Sequence, residues 1–87
     1  MKILYTSRFK KHFKARIRPN SNLVIKFEER FDLFLKSPND PNLKEHALKG
    51  TKRRFRAFSI TGDIRVIYRI DNSDVIFYDI GSHNQVY

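Results

Sequence analysis

The chain has 87 residues, with 18 Lys and Arg against 9 Asp and Glu and no cysteine. That length holds one domain with one modest core, too small for a second lobe or a large cofactor fold. The absent thiols exclude a disulfide scaffold and any thiolate metal site, in keeping with a reducing cytoplasm. The formal net charge of +9 points to a polyanionic partner, because releasing condensed counterions drives binding without sequence preference. A basic protein that merely stays soluble, or one that docks on an acidic protein, is the blander alternative. The charge is uneven. Residues 1–20 carry seven Lys/Arg and no acid, residues 21–48 four against five, and residues 49–87 seven against four.

Met1-Lys2-Ile3-Leu4-Tyr5 soon runs into charge, so no secretory core is expected, and no run approaches a membrane span. Lys2 to Thr6 reads as a short strand. Ser7 can then cap a helix to about Ile17, with Phe9, Phe13 and Ile17 as a narrow apolar stripe and Lys10, Lys11, Lys14 and Arg18 opposite. Pro19-Asn20-Ser21-Asn22 is a break, and Asn20 or Ser21 can cap a second helix. There Leu23, Val24, Phe27, Phe31, Phe34 and Leu35 form the wide face that contributes most of the core. The loop from Pro38 to Asn42 ends that helix. Leu43 to Gly50 is irregular or a single turn, with Gly50 at a left-handed position. Arg53–Ile60, Ile64–Ile70 and Asp74–Ile80 then read as strands joined by tight turns at Thr61-Gly62 and Asn72-Ser73. The fold class expected is α+β, in the order β-α-α-β-β-β, an antiparallel sheet with two N-terminal helices packed on one face.

Register sharpens this into a surface. A two-residue loop at Thr61-Gly62 sets Ile60 against Asp63, Phe58 against Arg65, Arg56 against Ile67 and Arg54 against Arg69. One face then holds Phe55, Ala57, Ile64, Val66 and Tyr68 as core. The other holds Arg54, Arg56, Arg65 and Arg69 around Phe58 and Ile67. Four arginines on one face with no facing acid repel one another, so phosphate binding is the better reading than a merely solvated face. An odd-length loop would shift the sorting by one residue and turn arginines toward the core.

Little else in the chain looks like chemistry. His83 sits just past the last strand in Gly81-Ser82-His83-Asn84-Gln85-Val86-Tyr87, His46 lies in the loop before Gly50, and His12 reads as a surface residue of the basic helix. A lone tail histidine is more often inert than catalytic. The three histidines lack ligand spacing, so no metal site is expected, and there is no phosphate loop or nucleophile elbow. Any catalysis would be acid–base and electrostatic, with no cofactor. Tyr87 reads equally as an apolar plug at the sheet edge or as a base-stacking, proton-relaying ring.

Taken in order, Glu45-His46-Ala47-Leu48-Lys49-Gly50, Phe55-Arg56, Asp63-Ile64-Arg65-Val66-Ile67-Tyr68-Arg69 and the ending Ile80-Gly81-Ser82-His83-Asn84-Gln85-Val86-Tyr87 resemble the RelE/YafQ group of bacterial toxin–antitoxin toxins. The H-x-L-x-G element, the R-V-I-Y strand and the G-[ST]-H ending with an aromatic resemble the YafQ branch in particular, and the likeness spans nearly the whole chain as a single domain, 1–87.

The resemblance implies an endoribonuclease that cuts messenger RNA in the ribosomal A site by attack of the 2′-hydroxyl, with a small, acidic, DNA-binding antitoxin as cognate partner and a cytoplasmic location. It also implies His46 and His83 as catalytic histidines, Asp63 as the catalytic aspartate, Arg65 as the phosphate-stabilising arginine and Tyr87 as the C-terminal aromatic. Arg54, Arg56, Arg69, Lys49, Lys52, Lys10 and Lys14 are the expected RNA- and phosphate-binding set. Where the YafQ pattern has a further histidine before the turn, this chain has Ser59, which cannot take a proton unaided at neutral pH. Two other functions compete: a ParE-like toxin that inhibits DNA gyrase, for which His83 and Tyr87 would be dispensable, and a basic, inactive module that binds RNA or antitoxin.

Overall fold

Hydrogen-bonding side chains just ahead of each long helix decide where it starts. In the computed structural model, which describes residues 2–87, the order is β1 (Ile3–Tyr5), α1 (Ser7–Arg16), α2 (Ser21–Lys36), β2 (His46–Ala47), β3 (Arg56–Ser59), β4 (Ile64–Asp71), β5 (Asp74–Ser82) and α3 (His83–Val86), with 3-10 turns at Pro41–Leu43 and Gly50–Lys52. Thr6, one residue before the expected cap, accepts from Phe9 N–H at 3.0 Å. Its hydroxyl donates in turn to the Tyr78 carbonyl at 2.7 Å, so α1 is fastened to β5 where it begins. Asn20 caps α2 by accepting from Asn22 and Leu23 N–H, which satisfies donors that the first turn leaves free.

The five strands lie in the order β1-β5-β4-β3-β2. β3, β4 and β5 are antiparallel as expected and β2 adds to β3 in the same sense, whereas β1 joins β5 in parallel, through pairs such as Ile3 with Val75, so the sheet is mixed. Asn72 and Ser73 both have positive φ, 50° and 73°, as a two-residue loop between Asp71 and Asp74 requires. Gly50 is left-handed, at φ 68°. β2 and α3 were not anticipated: the first has only two residues, too few to carry an alternation. α3 does carry a readable signal, since Ser82-x-x-Gln85 is a capping box.

α1 and α2 pack on one face of the sheet. Phe34 of α2 stacks on Phe58 of β3 at 4.5 Å and 11°, inside a cluster with Phe9, Ile17, Leu43, Ile60, Val66, Tyr68, Val75, Phe77 and Ile80. Burying each such side chain stabilises the fold by about 1.5–3 kcal/mol. Phe77 and Ile80 both face this core although an odd number of positions separates them. A bulge permits it: Ile67 pairs with Asp79 and Tyr68 with Phe77, leaving Tyr78 unpaired.

The loop between β3 and β4 corrects the expected register. Ile60 N–H donates to Ile64 O at 2.8 Å, and the pairs are Phe58 with Val66, Ala57 with Ile67, Arg56 with Tyr68 and Ser59 with Arg65. The loop is therefore three residues long, with the Thr61 hydroxyl accepting from Asp63 and Ile64 N–H. β4 sorts as expected, but β3 is inverted: Phe58 is core, while Phe55 and Ala57 face the other way in a second small cluster with Ile67 and Val86. The burial that Phe58 gains against Phe34 outweighs the cost of turning Arg56 to the helix side. Arg56 is thus not grouped with Arg65 and Arg69, and the expectation that it faces no acid is overturned by its pairing with Glu45.

Gly81 shows how tightly β5 is covered. A Cβ there would lie 2.6 Å from Arg16 Nη1 and 2.7 Å from Gln85 Oε1. Those atoms hold the Ile80 carbonyl and the Ser82 N–H, respectively. Among the described residues no helix is long and apolar enough to cross a membrane. Gly81→Ala should disturb both bonds and lower stability by about 1–2 kcal/mol, read as a lower urea midpoint. An unchanged midpoint would show that both side chains yield freely.

Candidate active site

The residue types singled out for chemistry meet at one end of the sheet, because two segments are folded back on it. The first is Lys44–Ala47. Lys44 has φ 50°, a left-handed turn that brings the next residue, Glu45, against β3 and β4. Its carboxylate accepts from Arg56 Nε and Nη2 and from the Tyr68 hydroxyl. The Glu45 side chain is 9% exposed. The Arg56 guanidinium holds its carboxyl below the ordinary 4.5, while burial and the carboxylate push the Tyr68 phenol up. This clamp fixes β2, so that His46 pairs with Ala57. His46 Nδ1 lies 2.9 Å from the Lys44 carbonyl. A carbonyl only accepts, so Nδ1 carries the proton and Nε2 is the basic nitrogen of the neutral ring.

The second segment is α3. Ser82 Oγ accepts from Gln85 N–H at 3.3 Å and Gln85 Oε1 accepts from Ser82 N–H at 2.8 Å. Asp63 in the β3–β4 turn accepts from the backbone N–H of His83 at 3.4 Å. Val86 is buried with Ala57 and Ile67, and Lys52 Nζ donates to its carbonyl at 2.8 Å. The His83 and Tyr87 rings consequently meet edge to face at 4.5 Å.

Between the two segments is a cavity of 470 Å³ lined by His46, Leu48, Lys49, Lys52, His83 and Tyr87, among others. Burial raises the Tyr87 phenol above its ordinary 10.0, with Arg65 close enough to oppose the shift. The ring therefore keeps its proton at neutral pH. Arg65 Nη1 also donates to the Gly62 and Asp63 carbonyls, at 3.3 and 3.1 Å. The arrangement thus offers two imidazoles, a protonated phenol and several cations around one space. That set can move protons and stabilise a developing negative charge.

The remaining expected residues are dispersed. Asp63 is exposed, and the bond it makes is to the His83 backbone rather than to the ring. Ser59, which a two-residue loop would have set on the face opposite Arg65, is instead its direct cross-strand neighbour and 7% exposed. Arg56 is held by Glu45 on the helix side, and Arg69 lies over the Phe55 ring at 5.9 Å. Arg54, Lys10 and Lys14 are exposed and do not line the cavity. Two groups escaped the sequence reading. Glu45 looked like one more loop acid, because its partners come from two strands distant in sequence. His12, expected to be a surface residue, is half-buried and bonds through Nδ1 to Asp79 Oδ1 at 2.6 Å.

Comparison with known proteins now decides the family. The family described as "Bacterial toxin of type II toxin-antitoxin system, YafQ" matches residues 1–87. The chain belongs to the YafQ family. No curated protein sequence matches significantly, but solved structures do. YafQ from E. coli strain BL21(DE3) superposes with a TM-score of 0.84 at 19% identity, covering 99% of this chain and 97% of that one. The toxin of the E. coli DinJ-YafQ toxin-antitoxin complex matches with a TM-score of 0.83 at 20% identity, over 99% and 96% of the two chains. A YoeB/ParE toxin from Agrobacterium tumefaciens gives 0.79 at 21% identity, over 95% and 99%. At these identities the structures establish the shared RelE-like fold, and the family match establishes membership among the type II toxins.

The clamp yields a test. Because the Glu45 carboxyl is depressed when folded, its contribution to stability is present above the ordinary carboxylate value and lost as pH falls through the lower folded value. Glu45→Gln should therefore cost about 1–3 kcal/mol at neutral pH, and the difference from wild type should shrink as the solution is acidified below about pH 4. Urea titrations at several pH values measure both; a difference independent of pH would mean that the ion pair contributes nothing.

Proposed function

We propose that the protein is an endoribonuclease toxin that cuts messenger RNA on the ribosome, in the cytoplasm, without a metal or other cofactor. The observation that carries this reading is the meeting of His46, His83 and Tyr87 around one cavity with Lys49, Lys52 and Arg65 at hand. RNA brings its own nucleophile. The ribose 2′-oxygen attacks the adjacent phosphorus as its proton passes to a base. The bond from phosphorus to the 5′-oxygen then breaks, and that oxygen takes a proton from an acid. The products are a 2′,3′-cyclic phosphate and a 5′-hydroxyl.

In this reading His46 serves as base through Nε2, since Nδ1 is committed to the Lys44 carbonyl, and His83 serves as acid. Arg65, Lys49 and Lys52 stabilise the crowded phosphorane, whose extra charge makes such contacts stronger in the transition state than before it. Tyr87, protonated, stacks on a base or relays a proton. Asp63 supports through the His83 backbone. Arg56 has no part in holding phosphate, because Glu45 occupies its guanidinium. Ser59, beside Arg65, leaves the acid–base work to the two histidines. A small acidic antitoxin partner is part of the proposal, by analogy with the DinJ-YafQ complex.

Induced expression followed by mapping of mRNA 5′ ends tests the reading. Wild type should produce ribosome-dependent cuts, and His83→Ala should reduce them by about 10²–10⁴-fold. Undiminished cutting by the variant would remove His83 from the mechanism. No cutting at all, with gyrase inhibited instead, would overturn the function in favour of a ParE-like one.

A further inference from the structure

The sheet face away from α1 and α2 is neither fully covered nor simply charged. Leu48, which lines the cavity, donates its N–H to the Phe55 carbonyl at 3.0 Å. The Phe55 ring lies 4.8 Å from that of Tyr78, inclined at 43°. Both rings are half-buried, resting on Ala57, Ile67 and Val86, so they keep surface for another molecule. Each also has a guanidinium over it: Arg69 at 5.9 Å from the Phe55 centroid and Arg8 at 5.3 Å from the Tyr78 centroid. Tyr78 owes its position to the bulge in β5. Beyond Arg8 a second cleft, of 320 Å³, is lined by Ser7, Arg8, Lys11 and His12. The carboxylate beside it, Asp79, is 4% exposed and bonded to His12 and to the Ile80 N–H.

We propose that Phe55, Tyr78, Arg69, Arg8 and the cleft at Lys11 and His12 form a track for single-stranded RNA. It would carry the strand from the cavity across the sheet to the start of α1. The inference rests on the endoribonuclease reading and extends it, assigning sites to nucleotides that flank the one being cut. The chemistry matches the polymer. Flat faces alternate with cations along the track as bases alternate with phosphates along the strand. Aromatic rings accept any base, and guanidinium groups either stack on bases or pair with phosphate. An acidic peptide would satisfy the cations but offers no flat faces to the two rings. The track gives affinity with little sequence preference, because nothing in it reads the edge of a base.

The test uses 2′-O-methylated oligoribonucleotides, which cannot be cut, so binding is measured apart from catalysis. Fluorescence anisotropy compares strands of about three and about six nucleotides, spanning the cavity alone or the cavity plus track. Wild type and His83→Ala should both bind the longer strand more tightly. Tyr78→Leu should lose about tenfold of affinity for the longer strand and little for the shorter. Arg8→Gln, at an exposed position, should lower the salt dependence of binding by about one counterion, and it provides the test if Tyr78→Leu fails to fold. Equal affinity for both lengths, or a length advantage that survives both variants, overturns the track. Variant-sensitive binding of polyglutamate without variant-sensitive binding of RNA overturns it too, making the face a protein-docking surface. A length advantage lost in the variants, in a protein that makes no cuts in cells, supports the track and sinks the endoribonuclease reading alone.

Discussion

The three-residue turn Thr61–Asp63 sets β3 against β4, and the site inherits its geometry from that register. With this pairing Phe58 enters the core under Phe34, and Ser59 lies beside Arg65. Arg56 turns to the helix side, where it meets Glu45 and so secures the segment that carries His46. Asp63, at the end of the same turn, holds the first N–H of α3 and thereby His83. A slip of one residue would expel a phenylalanine, strand Glu45 without its partner and move both histidines. Packing that looks purely structural therefore aligns the acid–base groups.

The protein handles its excess positive charge in two ways. Some cations are paired with carboxylates: Arg56 with Glu45 on the helix side, and Arg16 with Asp79 between α1 and β5. Around the cavity and on the open sheet face, Lys52, Arg65, Arg8 and Arg69 instead sit beside aromatic rings or backbone carbonyls. Cations held that way are oriented without being cancelled, which suits contact with a polyanion.

How much of this could be read from residues alone depended on the range of the interactions. Both long helices are legible because their apolar spacing and caps are local, and β4 is legible because Ile64, Val66 and Tyr68 alternate with Arg65, Ile67 and Arg69. The facing of β3 turns on a single question, whether Asp63 belongs to the loop or to the strand. Thr61 answers it by bonding to both Asp63 and Ile64 N–H, a preference that strand propensity does not contain. His46, His83 and Tyr87 could be singled out from motif order. Their meeting required β2 and α3, two elements too short to give a periodic signal. Glu45 and Asp79 stayed hidden because a carboxylate held by distant partners looks the same in sequence as one in water.

The parallel pairing of β1 with β5 has a consequence for how the protein comes into being. Ile3 is partnered by Val75, and Lys2 N–H by the Asp74 side chain, 72 residues away. β1 thus has no place in the sheet until β5, far along the chain, has followed it. Closing so long a loop comes late in folding, since its entropic cost precedes any reward. The N-terminal helices, basic and apolar by turns, must wait in the meantime as an unfinished layer. A sheet built this way takes its final form only when β5 has closed on β1.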